Sequence, residues 1–96
     1  MRRRRRTIAE RRIRLWNQQN GLCGVCLLPL DYEETVVDHD HAHCDTDSRQ
    51  ACGDCDRGAL HSSCNLLLGH ANDNAELLEK AIQYLRRRAV RQCSLS

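Results

Sequence analysis

Two segments of the chain, one near each end, carry apolar residues at helical spacing. The first has them at i, i+4 and i+7: Ala9, Ile13 and Trp16. Thr7 and Glu10 have the spacing of a capping box, and Gly21 suits the position after a helix C-terminus. The pattern predicts an amphipathic helix between Thr7 and Gly21. Its Trp16 is interpreted as a core anchor, with base stacking as the alternative.

The second segment repeats this spacing, with Leu78, Ile82 and Leu85. Asp73 and Glu76 again have capping-box spacing, so a helix is predicted that begins after Asp73 and ends near Arg91. A shorter helix is predicted over residues 61–69, ahead of His70.

The centre of the chain has the alternation expected of a strand. A β-branched pair precedes Asp38-His39-Asp40-His41. In a strand over residues 35–41 the aspartates share one face and the histidines the other. Carboxylates suit a hard cation such as Mg²⁺, and an imidazole can take a proton near neutral pH. The segment predicts a metal-dependent hydrolytic site.

Composition indicates that the fold needs a metal, because the chain has few large apolar residues to form a core. Its 96 residues include seven cysteines, no Phe, one Trp and two Tyr. Small domains of this kind usually need disulfides, a metal or a partner chain. The arginines at positions 2–6 are followed by no apolar run, so we expect neither a secretion signal nor a membrane span. The sequence therefore predicts a small α+β domain stabilised by zinc rather than by disulfides.

Three ligand pairs have zinc spacing: Cys23-x-x-Cys26, Cys52-x-x-Cys55 and His61-x-x-Cys64. His61 and Cys64 lie one turn apart on the predicted short helix, so both can point at one metal. The expected structural zinc ligands are Cys23, Cys26, His61 and Cys64.

A second zinc site has His43, Cys44, Cys52 and Cys55 as its candidate ligands. Three cysteines and a histidine would order a polar segment that has no core of its own. His43 and Cys44 are adjacent, which is awkward for two ligands of one ion, so His41 could replace His43. These cysteines could instead remain free thiols, or all the ligands could share one zinc shell.

Charge is segregated along the chain. Residues 1–20 carry eight Arg and one Glu, net +7; residues 80–96 are net +5; and residues 21–79 are net −10. Fourteen of the fifteen basic residues are Arg, whose planar guanidinium pairs bidentately with phosphate. Basic flanks predict DNA binding, although a run of arginines is also typical of a solvated tail. The candidate DNA-binding residues are Arg3, Arg4, Arg5, Arg11, Arg12, Arg57, Arg87 and Arg88.

Asn65 is a candidate partner for Asp38. It follows Cys64 by about 100° around a helix, so it faces a different neighbour from the zinc ligands. Its amide oxygen could join the carboxylate of Asp38 in binding a divalent ion. The alternative for Asn65 is a capping or surface amide.

Asp38-His39-Asp40-His41, the Cys-x-x-Cys before it and Arg57-Gly58-x-Leu60-x-x-x-Cys64-Asn65-x-x-Leu68-Gly69 after it resemble the recombination endonuclease VII family. These are phage proteins of the HNH (ββα-metal) nuclease superfamily, and the resemblance covers residues 21–85. It implies an arginine-rich tail and helix over residues 1–20, a zinc-braced ββα-metal core over 21–72, and a C-terminal helix and basic tail over 73–96.

The resemblance also implies roles. Asp38 and Asn65 would bind the catalytic Mg²⁺ or Mn²⁺. His39 would be the general base, and its other ring nitrogen would need an orienting acceptor such as a backbone carbonyl. His41 would support catalysis from beside the site, and His70 is a candidate for the third HNH position, with a plain helix-end histidine as the alternative.

The function implied is a metal-dependent DNA endonuclease, phage-encoded and acting in the cytoplasm of an infected bacterium. Its expected partner is DNA, with no membrane; a homodimer and contacts with other phage DNA-processing proteins are compatible with the resemblance. A zinc-dependent nucleic-acid-binding module without catalysis is the alternative, because zinc ligands and arginines serve it equally well. A redox-sensing thiol protein is a weaker alternative, since it leaves the histidines and arginines unexplained.

Overall fold

The computed structural model describes residues 6–44 and 52–87, which form three helices and one two-stranded sheet. In chain order they are α1 (Ile8–Gln18), a short 3₁₀ turn (Tyr32–Glu34), β1 (Val36–His39), β2 (Asp56–Leu60), α2 (Ser62–His70) and α3 (Ala75–Arg86). The prediction of a small α+β domain is confirmed. No helix in the described ranges is long and apolar enough to cross a membrane.

Helix α1 begins and ends as its sequence predicts. The Thr7 side chain accepts a hydrogen bond from the Glu10 backbone, and the Glu10 carboxylate accepts one from the Thr7 backbone, which completes the capping box. After the helix, Gly21 has φ +71° and donates its N–H to the carbonyl of Trp16 at 2.9 Å.

The predicted apolar face of α1 is wrong, because a different face of the helix packs against the sheet. Ala9 is exposed and Ile13 is 39% exposed, whereas Arg11 and Leu15 are buried. The helix faces the sheet along the Arg11–Leu15 line because Arg11 reaches an acidic partner on β2. The core comprises Leu15, Leu30, Val37 and Ala59, with Ile8 and Trp16 packed against it. Trp16 donates its indole N–H to the carbonyl of Leu30 at 2.8 Å, which supports the core-anchor interpretation.

The sheet pairs β1 with β2 in antiparallel orientation. Val36 lies opposite Leu60, Asp38 opposite Gly58 and His39 opposite Asp56, so the register shifts at Arg57. This extra residue is a β-bulge, which re-aims a side chain at the end of the pair. The sequence pattern predicted a strand over residues 35–41 and none over 56–60.

The side chain of Gln19 holds β2 against the end of α1. Its amide nitrogen donates to the carbonyl of Ala59 at 2.8 Å, and its amide oxygen accepts the Ala59 N–H at 2.8 Å. A Cβ atom at Gly58 would lie 2.8 Å from that oxygen, so a larger residue there would displace the Gln19 amide from the strand. The Gln19 side chain therefore satisfies backbone groups on the edge of β2 that faces away from β1.

Helix α3 differs from its prediction at both ends. Its N-cap is Asn74, whose side chain accepts the N–H of Leu77 at 3.1 Å, and not Asp73. The helix ends at Arg86, with Arg87 as its C-cap, and the predicted end near Arg91 lies outside the described residues. Of its predicted apolar stripe, Leu78 is half-buried, while Ile82 and Leu85 are 44% and 78% exposed, so the described part of the chain leaves much of that stripe uncovered.

Candidate metal centres and active site

The first Cys/His cluster joins the loop after α1 to the start of α2. Cys23 and Cys26 lie in that loop, His61 is the N-cap of α2, and Cys64 is in its first turn. The four possible ligand atoms all lie within 4.8 Å of one another, and Cys26 Sγ is 3.2 Å from His61 Nδ1. The predicted convergence of these residues is confirmed, and the set fits the tetrahedral Cys₃His coordination of zinc.

Hydrogen bonds prepare this cluster for a cation. His61 donates Nε2–H to the carbonyl of Pro29 at 3.0 Å, which turns the lone pair of Nδ1 toward the sulfurs. Burial opposes ionisation of the Cys23 thiol, but backbone N–H groups of Cys26, His61 and Val25 outweigh it and lower the Cys23 pKa to about 6. Burial and the neighbouring cysteines raise the pKa of Cys64 to about 11.

The second cluster lies beyond the end of β1. It comprises His43, Cys44, Cys52 and Cys55, whose ligand atoms also lie within 4.8 Å of one another. His43 Nδ1 is 3.3 Å from Cys44 Sγ and 3.5 Å from Cys52 Sγ, so adjacency does not prevent both residues from facing one point. The two clusters are separate, so the ligands do not share one zinc shell. The histidine of the second cluster is His43 and not His41.

The thiols of the second cluster differ in acidity. Burial opposes ionisation of Cys52, but N–H groups of Asp54 and Cys55 and the neighbouring thiols outweigh it and lower the Cys52 pKa to about 7. Burial and the sulfurs of Cys44 and Cys52 raise the pKa of Cys55 to about 11. Two Cys/His clusters that could hold zinc are therefore present in the described residues.

Asp38 and Asn65 line the same cavity, of about 190 Å³, between β1 and α2. Its other polar lining residues are His41, His70 and Asp73. A carboxylate and an amide oxygen are hard donors, and a cavity of this size admits a hydrated divalent ion. The residues present thus fit Mg²⁺ or Mn²⁺, as the thiols and imidazoles of the two clusters fit zinc.

His39 is 2% exposed and follows Asp38 at the end of β1. Its Nε2 donates to the backbone carbonyl of Cys44 at 3.0 Å, so the expected carbonyl acceptor is present. In the neutral ring that bond keeps the proton on Nε2, which leaves the lone pair on Nδ1. The ring centroid of His41 is 4.3 Å away, in agreement with the two histidines sharing a face.

Arg57 and Asp73 complete a polar network around Asp38. Arg57 donates Nε to Asp38 Oδ2 at 2.7 Å and Nη2 to Asp38 Oδ1 at 3.1 Å, and Nη2 also reaches Asp73 Oδ1 at 3.1 Å. His41 Nδ1 donates to Asp73 Oδ2 at 3.2 Å. Burial opposes ionisation of Asp73, but the bonds from Arg57 and His41 lower its pKa below the ordinary 3.8.

The role of Asp73 was not predicted from the sequence, where its spacing indicated a helix cap. Asn72 and Asp73 both have positive φ, 52° and 55°, a conformation that asparagine and aspartate tolerate best after glycine. This turn between α2 and α3 aims the Asp73 carboxylate back at Arg57. The only local signal was the run Asn72-Asp73-Asn74 after the helix.

The arginines predicted to bind DNA have different environments. Arg11 is 3% exposed and donates to both carboxylate oxygens of Asp56 at 2.9 and 2.7 Å, so the expectation that it faces a phosphate backbone is wrong for this conformation. Arg12 lies over the ring of Tyr32 and Arg87 over that of Tyr84, at 4.9 and 5.0 Å. The remaining candidates that lie outside the described residues are Arg3, Arg4, Arg5 and Arg88.

A second cavity, of about 540 Å³, lies between α1 and the start of β2. We call it the arginine cleft, because Arg6, Arg14 and Arg57 line it beside Arg11; Asp54 and Asp56 add acidic groups. Arg57 joins the cleft to Asp38, since its guanidinium contacts that carboxylate. The cleft therefore lies next to the candidate ion site.

Comparison with known proteins identifies the family of the chain. The family model of recombination endonuclease VII matches residues 1–87. No curated protein and no solved structure matches the chain. The match includes both Cys/His clusters and every residue of the Asp38 site, so the chain belongs to the recombination endonuclease VII family.

Proposed function

We propose that this protein is a metal-dependent HNH-type endonuclease that hydrolyses phosphodiester bonds of DNA. One observation carries the proposal: Asp38 and Asn65 line one cavity while the adjacent His39 is oriented by a carbonyl. Membership of a nuclease family supports DNA as the substrate.

His39 is the general base of the proposed reaction. With Nε2–H donated to the carbonyl of Cys44, Nδ1 is the nitrogen that takes a proton from the attacking water. Burial of the ring limits its rotation, so the lone pair keeps one direction. A base oriented in this way contributes about 10²–10⁴-fold to a hydrolysis rate.

Asp38 and Asn65 would hold the divalent ion. Each carboxylate oxygen has two lone pairs, so Asp38 can accept from Arg57 and still bind a cation. A bound Mg²⁺ or Mn²⁺ would stabilise negative charge on the phosphate and on the leaving oxygen. His41 and Asp73 support the site from its rim, because their hydrogen bond ties β1 to the turn before α3.

Arg57 would bind the phosphate next to the ion. Its guanidinium lines the arginine cleft on one side and contacts Asp38 on the other. A DNA strand in the cleft would be held by Arg6 and Arg14, with the phosphate beside Arg57 closest to Asp38. Pairing with phosphate is the role that the planar fork of arginine suits best.

Plasmid nicking tests the proposal directly. Supercoiled, nicked and branched DNA are incubated with the zinc-loaded protein in Mg²⁺, in Mn²⁺ and in EDTA. We expect nicking with either ion and none in EDTA. Tight DNA binding without ion-dependent cleavage on any of these substrates would contradict the proposal and favour the zinc-dependent binding module.

A further inference from the structure

One residue of the second cluster also orients the proposed general base. The carbonyl of Cys44 accepts the Nε2–H of His39 at 3.0 Å, and the thiol of Cys44 lies 3.3 Å from Nδ1 of His43. The same thiol accepts the backbone N–H of Cys52 at 3.5 Å. The acceptor for the base and a ligand atom of the cluster therefore belong to one residue.

Among the described residues, a short turn before Cys44 supports this carbonyl. Cys44 follows a turn in which its N–H and that of His43 both donate to the carbonyl of Asp40, each at 3.0 Å. His43 is exposed, and Cys44 is no part of the apolar core. Polar segments with few buried apolar contacts open easily, so an ion bound by the Cys44 sulfur would add to the support that this turn gives.

The other half of the cluster is firmly anchored. The carbonyl of Cys55 accepts the N–H of Asp40 at 2.9 Å, and Asp56, the next residue, forms the buried bidentate ion pair with Arg11. An ion bound by both halves would add a second link between the turn at Cys44 and the start of β2, beside the hydrogen bond from Asp40 to Cys55. The position of the Cys44 carbonyl would then be held by the metal as well as by the turn.

We propose that a zinc ion bound by His43, Cys44, Cys52 and Cys55 positions the imidazole of His39 through the carbonyl of Cys44. The inference rests on the proposed function only in naming His39 as the base. Cys44 is then a positioning residue, and the second cluster differs in purpose from the first, which joins the loop after α1 to α2. Outer hydrogen-bond partners of this kind typically change activity by about 10- to 100-fold.

The full-length protein and three single variants test this. Cys44→Ser removes the sulfur but keeps the carbonyl, Cys52→Ser removes a ligand from the anchored half, and Cys93→Ser is a matched control that leaves both four-ligand sets intact. For each, zinc content is measured, and ¹⁵N spectra of the histidine rings report whether Nε2 of His39 carries a hydrogen-bonded proton. DNA cleavage is measured in parallel as kcat and KM.

We expect two zinc ions in the wild type and in Cys93→Ser, and one in Cys44→Ser and Cys52→Ser. In the latter two, the fixed Nε2–H signal of His39 should be lost and kcat should fall by about 10- to 100-fold, with KM and zinc in the first cluster unchanged. Loss of the second zinc with an unaltered His39 signal would overturn the proposal, as would a wild type that binds a single zinc ion.

A zinc titration of wild-type protein covers the case in which the variants fail to fold. Spectra at one and two equivalents of zinc should differ at His39, because the second equivalent fixes its acceptor. Identical His39 signals at both points would overturn the proposal. The spectra decide this whether or not the protein cuts DNA, so failure of the nuclease proposal is seen separately in the plasmid assay.

Discussion

Arg57 donates two hydrogen bonds to Asp38, at 2.7 and 3.1 Å, so the carboxylate proposed to bind the divalent ion already has a cationic partner. Arg57 is the extra residue of the β-bulge, because Asp38 pairs with Gly58 and His39 with Asp56. A bulge re-aims the side chain of its extra residue, and here that side chain contacts Asp38. Asp38 raises the pKa of Arg57, so the guanidinium stays charged at every accessible pH. Ion binding and the guanidinium therefore compete for the charge of one carboxylate.

Replacing Arg57 with Gln should separate its competition with the ion for Asp38 from its contribution to the cleavage rate. The Mg²⁺ concentration for half-maximal cleavage should fall, because Asp38 loses a competing cation. The rate at saturating Mg²⁺ should fall on the order of 10²-fold, the usual effect of losing a group that stabilises charge in the transition state. Lys80→Gln is the control, since it removes one positive charge from α3. If Arg57→Gln needed the same Mg²⁺ concentration for half-maximal cleavage as the wild type, Arg57 would not compete with the ion for Asp38.

His39→Ala should lower the cleavage rate by about 10²–10⁴-fold, because it removes the positioned base. Zinc content and DNA affinity should be unchanged, and circular dichroism checks the fold, since the ring is buried. His70→Ala tests the alternative base, because it removes another imidazole near Asp38, from the end of α2. If His70→Ala lost the activity and His39→Ala kept it, the base would have been assigned to the wrong histidine.

Asn65→Ala should weaken the response to divalent ions more than it weakens DNA binding. Losing one of two protein ligands lowers affinity for the ion, so high Mn²⁺ or Mg²⁺ should restore part of the activity, as it should for Asp38→Ala. The measurement is the nicking rate as a function of ion concentration. If Asn65→Ala gave the wild-type curve over the whole range of either ion, Asn65 would be a surface amide.

Zinc affinity should rise with pH between about 7 and 9. At pH 7 Cys23, with a pKa of about 6, is mainly ionised in the metal-free cluster, while Cys64, with a pKa of about 11, holds its proton. Zinc binding must therefore displace at least that proton, and apparent affinity should rise about tenfold per pH unit for each proton displaced. Competition with a chromophoric chelator measures the zinc affinity at each pH. An affinity that did not change with pH would contradict the protonation assigned to Cys64.

Deleting residues 2–6 should weaken DNA binding for all sequences and flatten the dependence of log K on log salt. Each lost phosphate contact lowers the slope by about 0.9. A variant with five lysines in these positions is the control, because it keeps the charge and should keep most of the slope. A deletion that leaves the salt slope unchanged would show that this segment makes no phosphate contact.

Local sequence determined those features that depend on neighbouring residues. The capping box of Thr7 and Glu10 needs only a three-residue spacing, and α1 begins where it predicts. The zinc-ligand pairs and the Asp38-His39 step are also local patterns, so their positions could be predicted before their surroundings. The convergence of Cys23 with His61 followed from the chemistry of zinc, which makes separated ligand pairs informative.

Tertiary structure decided which side chains meet across long stretches of chain. Arg11 is buried because Asp56, 45 residues away, pairs with it, and this contact turns the face of α1 away from the predicted stripe. Asp73 reaches Arg57 only because of a positive-φ turn, and the acceptor of His39 is a backbone carbonyl with no side-chain signature. Sequence patterns report periodicity and residue chemistry, whereas strand register, bulges and backbone acceptors depend on how distant segments pack, and that packing sets the geometry of the Asp38 site.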